Sequence, residues 1–183
     1  MFRIGFGKAA FMKFLSIVAV ALGAVASPAQ AASFPAPAKL CPMIAATADE
    51  GNQTPASWQK SGNAYFCLSS GMSALGDGVV FMNAYQATGP TKSRVKGIHF
   101  RITMYDSMLR TAQISQLFLP RITTVFAASD AGPVPDALVQ AITTATAVSV
   151  PTTLGLARTG LTLSSNAAMP YNGAVFEVEL DGR

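Results

Sequence analysis

The only histidine of the chain, His99, is the first residue to consider for catalysis or binding. It lies in residues 98–106, IHFRITMYD, where Arg101 and Tyr105 fall on the same side of a two-residue alternation. An imidazole, a guanidinium and a phenol on one strand face provide a titratable ring, a bidentate donor and an aromatic hydroxyl, which together can hold a carboxylate or a sugar. The sequence therefore predicts a candidate binding face of His99, Arg101 and Tyr105.

Two carboxylates, Glu177 and Glu179, are the second candidate for chemistry. They alternate with apolar residues in the segment 175–180, so they share one strand face, with carboxyl groups about 6–7 Å apart. Glycosidases hold their acid and base at such separations. The same alternation is far more common on a solvated sheet face, so a hydrolase centred on His99 or on Glu177 and Glu179 is the alternative to a noncatalytic charged surface.

Other kinds of site are excluded by the motifs that the sequence lacks. A single histidine rules out a multi-histidine zinc or copper site, and there is no HExxH, CxxC pair, EF-hand loop, Walker A, GxGxxG or GxSxG motif. We therefore predict no metal site and no cofactor. Enzymatic activity is left undecided, and a noncatalytic role is favoured.

Residues 1–31 have the organisation of a secretory signal peptide. Lys13 supplies a positive charge, residues 14–25 are apolar, and Ala29-Gln30-Ala31 matches the small-residue pattern that signal peptidase recognises. Met12 is the more natural initiator. We expect cleavage after Ala31 and a bacterial periplasmic or secreted protein whose mature chain has no transmembrane segment, because no later apolar run reaches about 20 residues.

Removal of this leader also changes the charge of the protein. Without Arg3, Lys8 and Lys13, ten of the 13 basic residues remain against nine acidic ones. The mature chain is nearly neutral, and nucleic-acid binding is not expected because it requires a clustered basic surface.

The mature chain has the length of one domain, which we place at residues 40–183 after a flexible, Pro/Ala-rich lead-in at 32–39. Its two cysteines, Cys41 and Cys67, form an even pair in an oxidising compartment and predict a disulfide bond. By chain-entropy reasoning, this crosslink stabilises the fold by roughly 3–3.5 kcal/mol.

The periodicity of the sequence predicts strands and helices that alternate along the chain. Residues 98–106 and 175–180 alternate as half-buried strands, and if these strands pair, Arg101 and His99 face Glu177 and Glu179. Helical spacing covers residues 106–129, where Pro120 predicts a kink or a split, and a further helix begins at residues 135–136. A short helical turn that begins at Thr54 and Pro55 is expected to carry Trp58.

These elements predict an α+β fold in which two or three helices pack on one face of an antiparallel sheet. The expected function is that of a noncatalytic envelope module that binds an envelope protein, a glycan or a lipid through its sheet face or an edge strand. A third interpretation is a subunit whose exposed apolar surface needs a partner. Replacement of His99 by alanine distinguishes these hypotheses, because loss of turnover with intact folding would favour the hydrolase and unchanged behaviour would remove its best catalytic candidate.

Overall fold

The computed structural model describes residues 32–52, 56–74, 80–105, 110–164 and 173–183. The predicted signal peptide, including Met12 and its cleavage site, lies outside these residues. The described elements, in chain order, are α1 (Pro37–Ile44), a 3₁₀ turn (Ala48–Glu50), β1 (Gln59–Ser61), β2 (Ala64–Ala74), β3 (Val80–Gly89), β4 (Gly97–Met104), α2 (Thr111–Ala128), α3 (Asp136–Thr144), β5 (Val148–Pro151), β6 (Gly155–Ser164) and β7 (Gly173–Gly182).

The described strands form one antiparallel sheet in the order β1-β2-β3-β4-β7-β6-β5. The first four strands follow one another as a meander, while β7 is inserted between β4 and β6. The seven antiparallel strands and three α-helices of the described residues confirm the α+β class.

The predicted pairing of the two alternating segments is confirmed. In β4, Ile98, Phe100, Ile102 and Met104 are buried, whereas the intervening side chains are half-buried or exposed. β7 pairs with β4 in the register that places Arg101 opposite Glu177 and His99 opposite Glu179. Two amphipathic strands keep one register because a slip by one residue would turn every apolar side chain toward water.

The core lies on the side of the sheet that carries Phe100, and α2 covers it there. Phe118 of α2 is fully buried, and its ring centroid lies 5.8 Å from that of Phe100, 6.2 Å from Phe176 and 6.3 Å from Tyr85. These contacts join α2 to β3, β4 and β7. Because side chains alternate along a strand, His99 and Arg101 point away from this core.

Of the two outcomes predicted for Pro120, a kink or a split, the split does not occur: α2 is one element from Thr111 to Ala128 with Pro120 inside it. Proline cannot donate a hydrogen bond to the carbonyl of Gln116, four residues earlier. Gln116 and Pro120 are both exposed, so water can satisfy that carbonyl. The buried residues Phe118 and Ile122 anchor the helix on its opposite side.

The N-terminal part of the domain is attached to the sheet through α1. Cys41 of α1 and Cys67 of β2 form the predicted disulfide, with Cα atoms 6.1 Å apart. Helix α1 begins at Pro37, inside the segment predicted as a lead-in, because proline favours the first turn of a helix and the disulfide holds the next turn.

Trp58 also differs from its expected place, since it directly precedes β1 and is not helical. Thr54 and Pro55 lie outside the described residues. Within the ranges given above, no helix is both long and apolar enough to cross a membrane.

Candidate functional site

The side of the sheet that faces away from Phe118 carries rows of charged side chains, which we call the polar face. The acidic row is on β7, and basic residues from β4 and β6 stand on either side of it because β7 pairs with both strands. The members of the polar face are His99, Arg101, Arg158, Glu177, Glu179 and Asp181.

The carboxylate of Glu177 lies between His99 and Arg101. Its Oε1 atom is 3.5 Å from His99 Nε2 and 3.5 Å from Arg101 Nε. Nε2 is buried and has no hydrogen-bond partner, since 3.5 Å is too long for a normal hydrogen bond. The contact with Glu177 is therefore an ion pair only while His99 is protonated.

Arg158 of β6 contacts the other two acids of the row. Its Nη1 atom lies 3.5 Å from Glu179 Oε2 and donates a short hydrogen bond to Asp181 Oδ2. The three side chains are 46–51% exposed. Exposed ion pairs contribute only about 0–1 kcal/mol each, so these charges can exchange one partner for another at little cost.

Tyr105, the third predicted binding residue, is separated from the other two. It follows β4 by one residue and lies four residues from Arg101, a distance of about 13 Å along an extended chain. Its hydroxyl donates a hydrogen bond of 3.2 Å to the Met82 sulfur. The structure therefore brings His99 and Arg101 together at Glu177 and places Tyr105 beyond the end of β4, in contact with Met82.

Tyr105, Met72 and Met82 form an exposed cluster, which we call the methionine patch. Met72 and Met82 are cross-strand partners, and Met82 is in turn paired with Thr103 of β4. The three side chains are 48%, 47% and 41% exposed, respectively. Because Thr103 alternates with buried Ile102 and Met104, the patch lies on the same side of the sheet as the polar face.

A shallow depression of about 230 Å³ lies over His99. Gln86, Glu179 and Asp181 also line it. Cavities that enclose small ligands are typically about 300–1,000 Å³, so this depression is below that range.

A second group of charges is buried on the other side of the sheet, around Glu50 of the 3₁₀ turn. Glu50 Oε1 is 2.5 Å from Arg121 Nη2, and Glu50 Oε2 accepts hydrogen bonds from Tyr85 Oη at 3.0 Å and from Asn83 Nδ2 at 3.2 Å. The Arg121 and Glu50 side chains are only 10% and 11% exposed. We call Glu50, Asn83, Tyr85 and Arg121 the buried carboxylate cluster.

Each charged or hydroxyl group of this cluster has a structural partner. The Arg121 guanidinium lies 4.3 Å from the centre of the Tyr85 ring and also donates to the Ala45 carbonyl at 3.0 Å. Burial raises the pKa of the Tyr85 hydroxyl, nearby Arg121 lowers it, and Glu50 raises it by its charge and by its hydrogen bond. Tyr85 therefore remains a neutral donor to the Glu50 carboxylate.

Gly71 of β2 allows the 3₁₀ turn to reach this position. A Cβ atom at residue 71 would collide with the Glu50 carbonyl oxygen and would lie 2.7 Å from Asn83 Oδ1. The cluster thus fastens the 3₁₀ turn to β3 and to α2. We interpret it as a structural element, since its carboxylate is shared among three donors.

The sequence prediction missed this cluster. Glu50 and Arg121 are 71 residues apart, and the segment around Glu50, DEGNQT, is typical of a solvated loop. Asn83 interrupts the apolar run at the start of β3 and is buried, and it was the one signal in the sequence, because a buried amide needs a partner.

In the part of the chain that the structure describes, no group of three or more His, Cys, Asp or Glu residues is arranged to hold a metal ion. Comparisons of the chain with protein-family models, curated proteins and solved structures find no match. The candidate surfaces must therefore be interpreted from their own geometry.

Proposed function

We propose that this protein is an exported, noncatalytic envelope module that binds a protein partner through one face of its sheet. The binding surface consists of the polar face and the methionine patch. Export through the predicted signal peptide to the periplasm or beyond is part of the proposal, and the disulfide supports it because such bonds persist in oxidising compartments.

We also propose that the three helices cover the same side of the sheet and leave this surface open. Phe118 places α2 on the side of Phe100. The disulfide partner of α1, Cys67, pairs with Ala87 and through it with Ile98, which shares that side. Helix α3 contributes buried residues to the same core.

The observation that carries the proposal is the methionine patch. Three large side chains between 41% and 48% exposed adjoin one another on the sheet face that also carries the charged rows of the polar face. Contiguous exposed apolar surface with a polar surround is typical of interaction sites. Aromatic residues, methionine and arginine are enriched in protein interfaces, and the face offers all three.

The charge pattern favours a protein over a polyanion. The polar face holds three acids, two arginines and one histidine in adjacent rows. Such a surface complements another surface of mixed charge, whereas a phosphate-rich glycan or lipid would meet the acids of β7.

The dimensions of the face agree with such an interface. Five neighbouring strands span about 24 Å and eight residues of β4 span about 27 Å, which gives roughly 650 Å² before side-chain relief. A standard interface buries about 800 Å² per partner.

The edges of the sheet are less suited to binding. β1 has three residues and includes Lys60, while β5 has four and ends in Pro151. Short edges with lysine or proline resist the addition of another strand. We therefore assign the partner to the face and not to an edge.

Site-specific photocrosslinking tests this assignment. A benzophenone amino acid is placed at residue 82, and a control is placed at Gln140, an exposed position of α3. In cells that naturally produce the protein, residue 82 should give one discrete protein adduct that residue 140 does not give. Adducts to lipid or glycan alone, or the same adducts from both positions, would contradict the proposal.

The hydrolase alternative has one observation in its favour, the depression at His99 beside Glu179. Its test is turnover of activated ester and glycoside substrates by the protein and by His99→Ala, with folding checked by circular dichroism. Loss of turnover in the folded variant would favour the hydrolase over the binding module. Equal turnover, or none in either protein, would remove His99 as a catalytic residue.

A further inference from the structure

A cavity of about 630 Å³ lies on the opposite end of the sheet from the methionine patch, and we call it the tryptophan cleft. It opens between α1, the residues that lead into β1, and the turn after β3. Its volume falls within the range of small-molecule sites, about 300–1,000 Å³. The residues on which its chemistry depends are Pro37, Cys41, Trp58, Lys60, Tyr65 and Lys92.

The apolar wall of the cleft is held in place by three connections. The ring of Trp58 stacks on that of Tyr65, with centroids 6.2 Å apart and planes inclined by 14°. Tyr65 is the cross-strand partner of Lys60. Two residues further along β2, Cys67 is linked to Cys41, which lines the cleft from α1. A disulfide and a strand pair thus hold this wall before any ligand arrives.

The polar groups of the cleft favour an anion. Lys60 and Lys92 both line it, and among its described lining residues there is no acidic side chain. Trp58 Nε1 is buried and has no hydrogen-bond partner. Because this nitrogen is closed off from solvent, the anion is attracted by the two lysines, and charge-assisted hydrogen bonds from ammonium groups favour a carboxylate.

We propose that the tryptophan cleft binds amphipathic carboxylates, molecules with an apolar body and one carboxylate head. The apolar body packs against Trp58, Tyr65 and Pro37. The carboxylate interacts with Lys60 and Lys92. This inference is independent of the partner-binding face, because the two surfaces share no residue.

The site can be tested directly because Trp58 is the only tryptophan of the chain. Its fluorescence is titrated with dodecanoate below the micellar concentration, and with the uncharged methyl dodecanoate as a matched control. We expect a saturable change with dodecanoate, and binding of the ester about tenfold weaker, because the ester has no charge for the lysines. Equal affinity for the two compounds, or no saturable change, would overturn the proposal.

Lysine variants test the charged half of the tryptophan cleft separately from its apolar half. The double variant Lys60→Gln/Lys92→Gln should weaken dodecanoate binding about tenfold and leave the affinity for the ester unchanged. The variant Lys39→Gln/Lys96→Gln has the same change in net charge at exposed positions that do not line the cleft, and it should bind like the parent protein. Equal weakening in both double variants would show a general charge effect and contradict the proposal.

The alkyl-chain length of the carboxylate tests the apolar half of the tryptophan cleft. Each buried methylene should tighten binding by about fourfold until the cleft is filled, so octanoate should bind more weakly than decanoate, and decanoate more weakly than dodecanoate. Tyr65→Ala should reduce this dependence, with folding monitored by circular dichroism. A series without chain-length dependence would exclude an apolar site.

Discussion

At the scale of single residues, the polar face and the buried carboxylate cluster place their charges in different environments. Glu177 and Arg101 interact across the polar face, where water reaches both side chains. Glu50 and Arg121 interact in the interior, and their charges depend on each other because little solvent can replace either partner. The first arrangement can change partners during binding, whereas the second holds the fold together.

Arg121→Met should therefore lower the free energy of unfolding by about 3–5 kcal/mol, since it leaves the Glu50 carboxylate buried without its cation. Urea denaturation followed by circular dichroism measures the change. Arg101→Met is the matched control, with its side chain 51% exposed, and should cost no more than about 1 kcal/mol. Similar losses in both variants would refute the structural role of the buried carboxylate cluster.

Tyr85 makes the free energy of unfolding depend on pH in the alkaline range. Burial raises its pKa above the value near 10 that it has in the unfolded chain. Above pH 10 the unfolded chain loses this proton first, so the stability contributed by the neutral phenol is complete below pH 10 and falls as the pH rises. Tyr85→Phe should be less stable at pH 7, because Glu50 loses a donor, and should lose less further stability between about pH 10 and 11.

Equilibrium denaturation of both proteins across this pH range gives the comparison. If the two stability curves stay parallel from about pH 7 to 11, Tyr85 does not carry the alkaline sensitivity. The other tyrosines are common to both proteins, so the difference between the curves isolates Tyr85.

The polar face was partly predictable from the sequence for a physical reason. Alternation fixes which side chains share a strand face, and one strand pairing then places Arg101 opposite Glu177. The buried carboxylate cluster depends instead on how the 3₁₀ turn approaches β2 and α2. No local periodicity in the sequence indicates that approach. Tyr105 shows the same limit, because its contact with Met82 depends on the neighbouring strand.

At the scale of elements, α2 shows how packing can override local propensity. Its sequence contains a proline that predicts a kink or a split, yet its buried residues pack against three strands and the helix continues past the proline. The prediction from sequence considered only the lost backbone hydrogen bond, because the sequence does not show that Pro120 and Gln116 face solvent. Strands β4 and β7 were easier to predict, because their periodicity and their packing agree.

Pro120→Ala should raise the free energy of unfolding by about 2 kcal/mol. Alanine restores the backbone donor in the helix interior, a gain of about 3 kcal/mol, while the more flexible unfolded chain removes up to about 1 kcal/mol of it. Thermal and urea denaturation measure the change, with the exposed position Thr123→Ala in the same helix as control. No gain over the control would mean that the helix is already adapted to the proline.

At the scale of the whole molecule, stability should be greatest at the centre of the sheet. β4 and β7 have partners on both sides and their apolar faces are buried, whereas β1 and β5 are short edge strands. In native-state hydrogen exchange, amides of β4 and β7 should open only with global unfolding, and those of β1 and β5 should open locally. Equal protection of β1 and β7 would contradict this gradient.

The place of β7 also determines the order in which the fold can be completed. It follows the other strands in sequence and yet lies between β4 and β6, so the meander and the β5–β6 hairpin have no shared strand until it arrives. A chain synthesised from its N-terminus leaves the side of β4 that pairs with β7 exposed until β7 has been added. The sheet therefore closes only after β7 has been synthesised, and until then the chain depends on protection from aggregation at the unpaired side of β4.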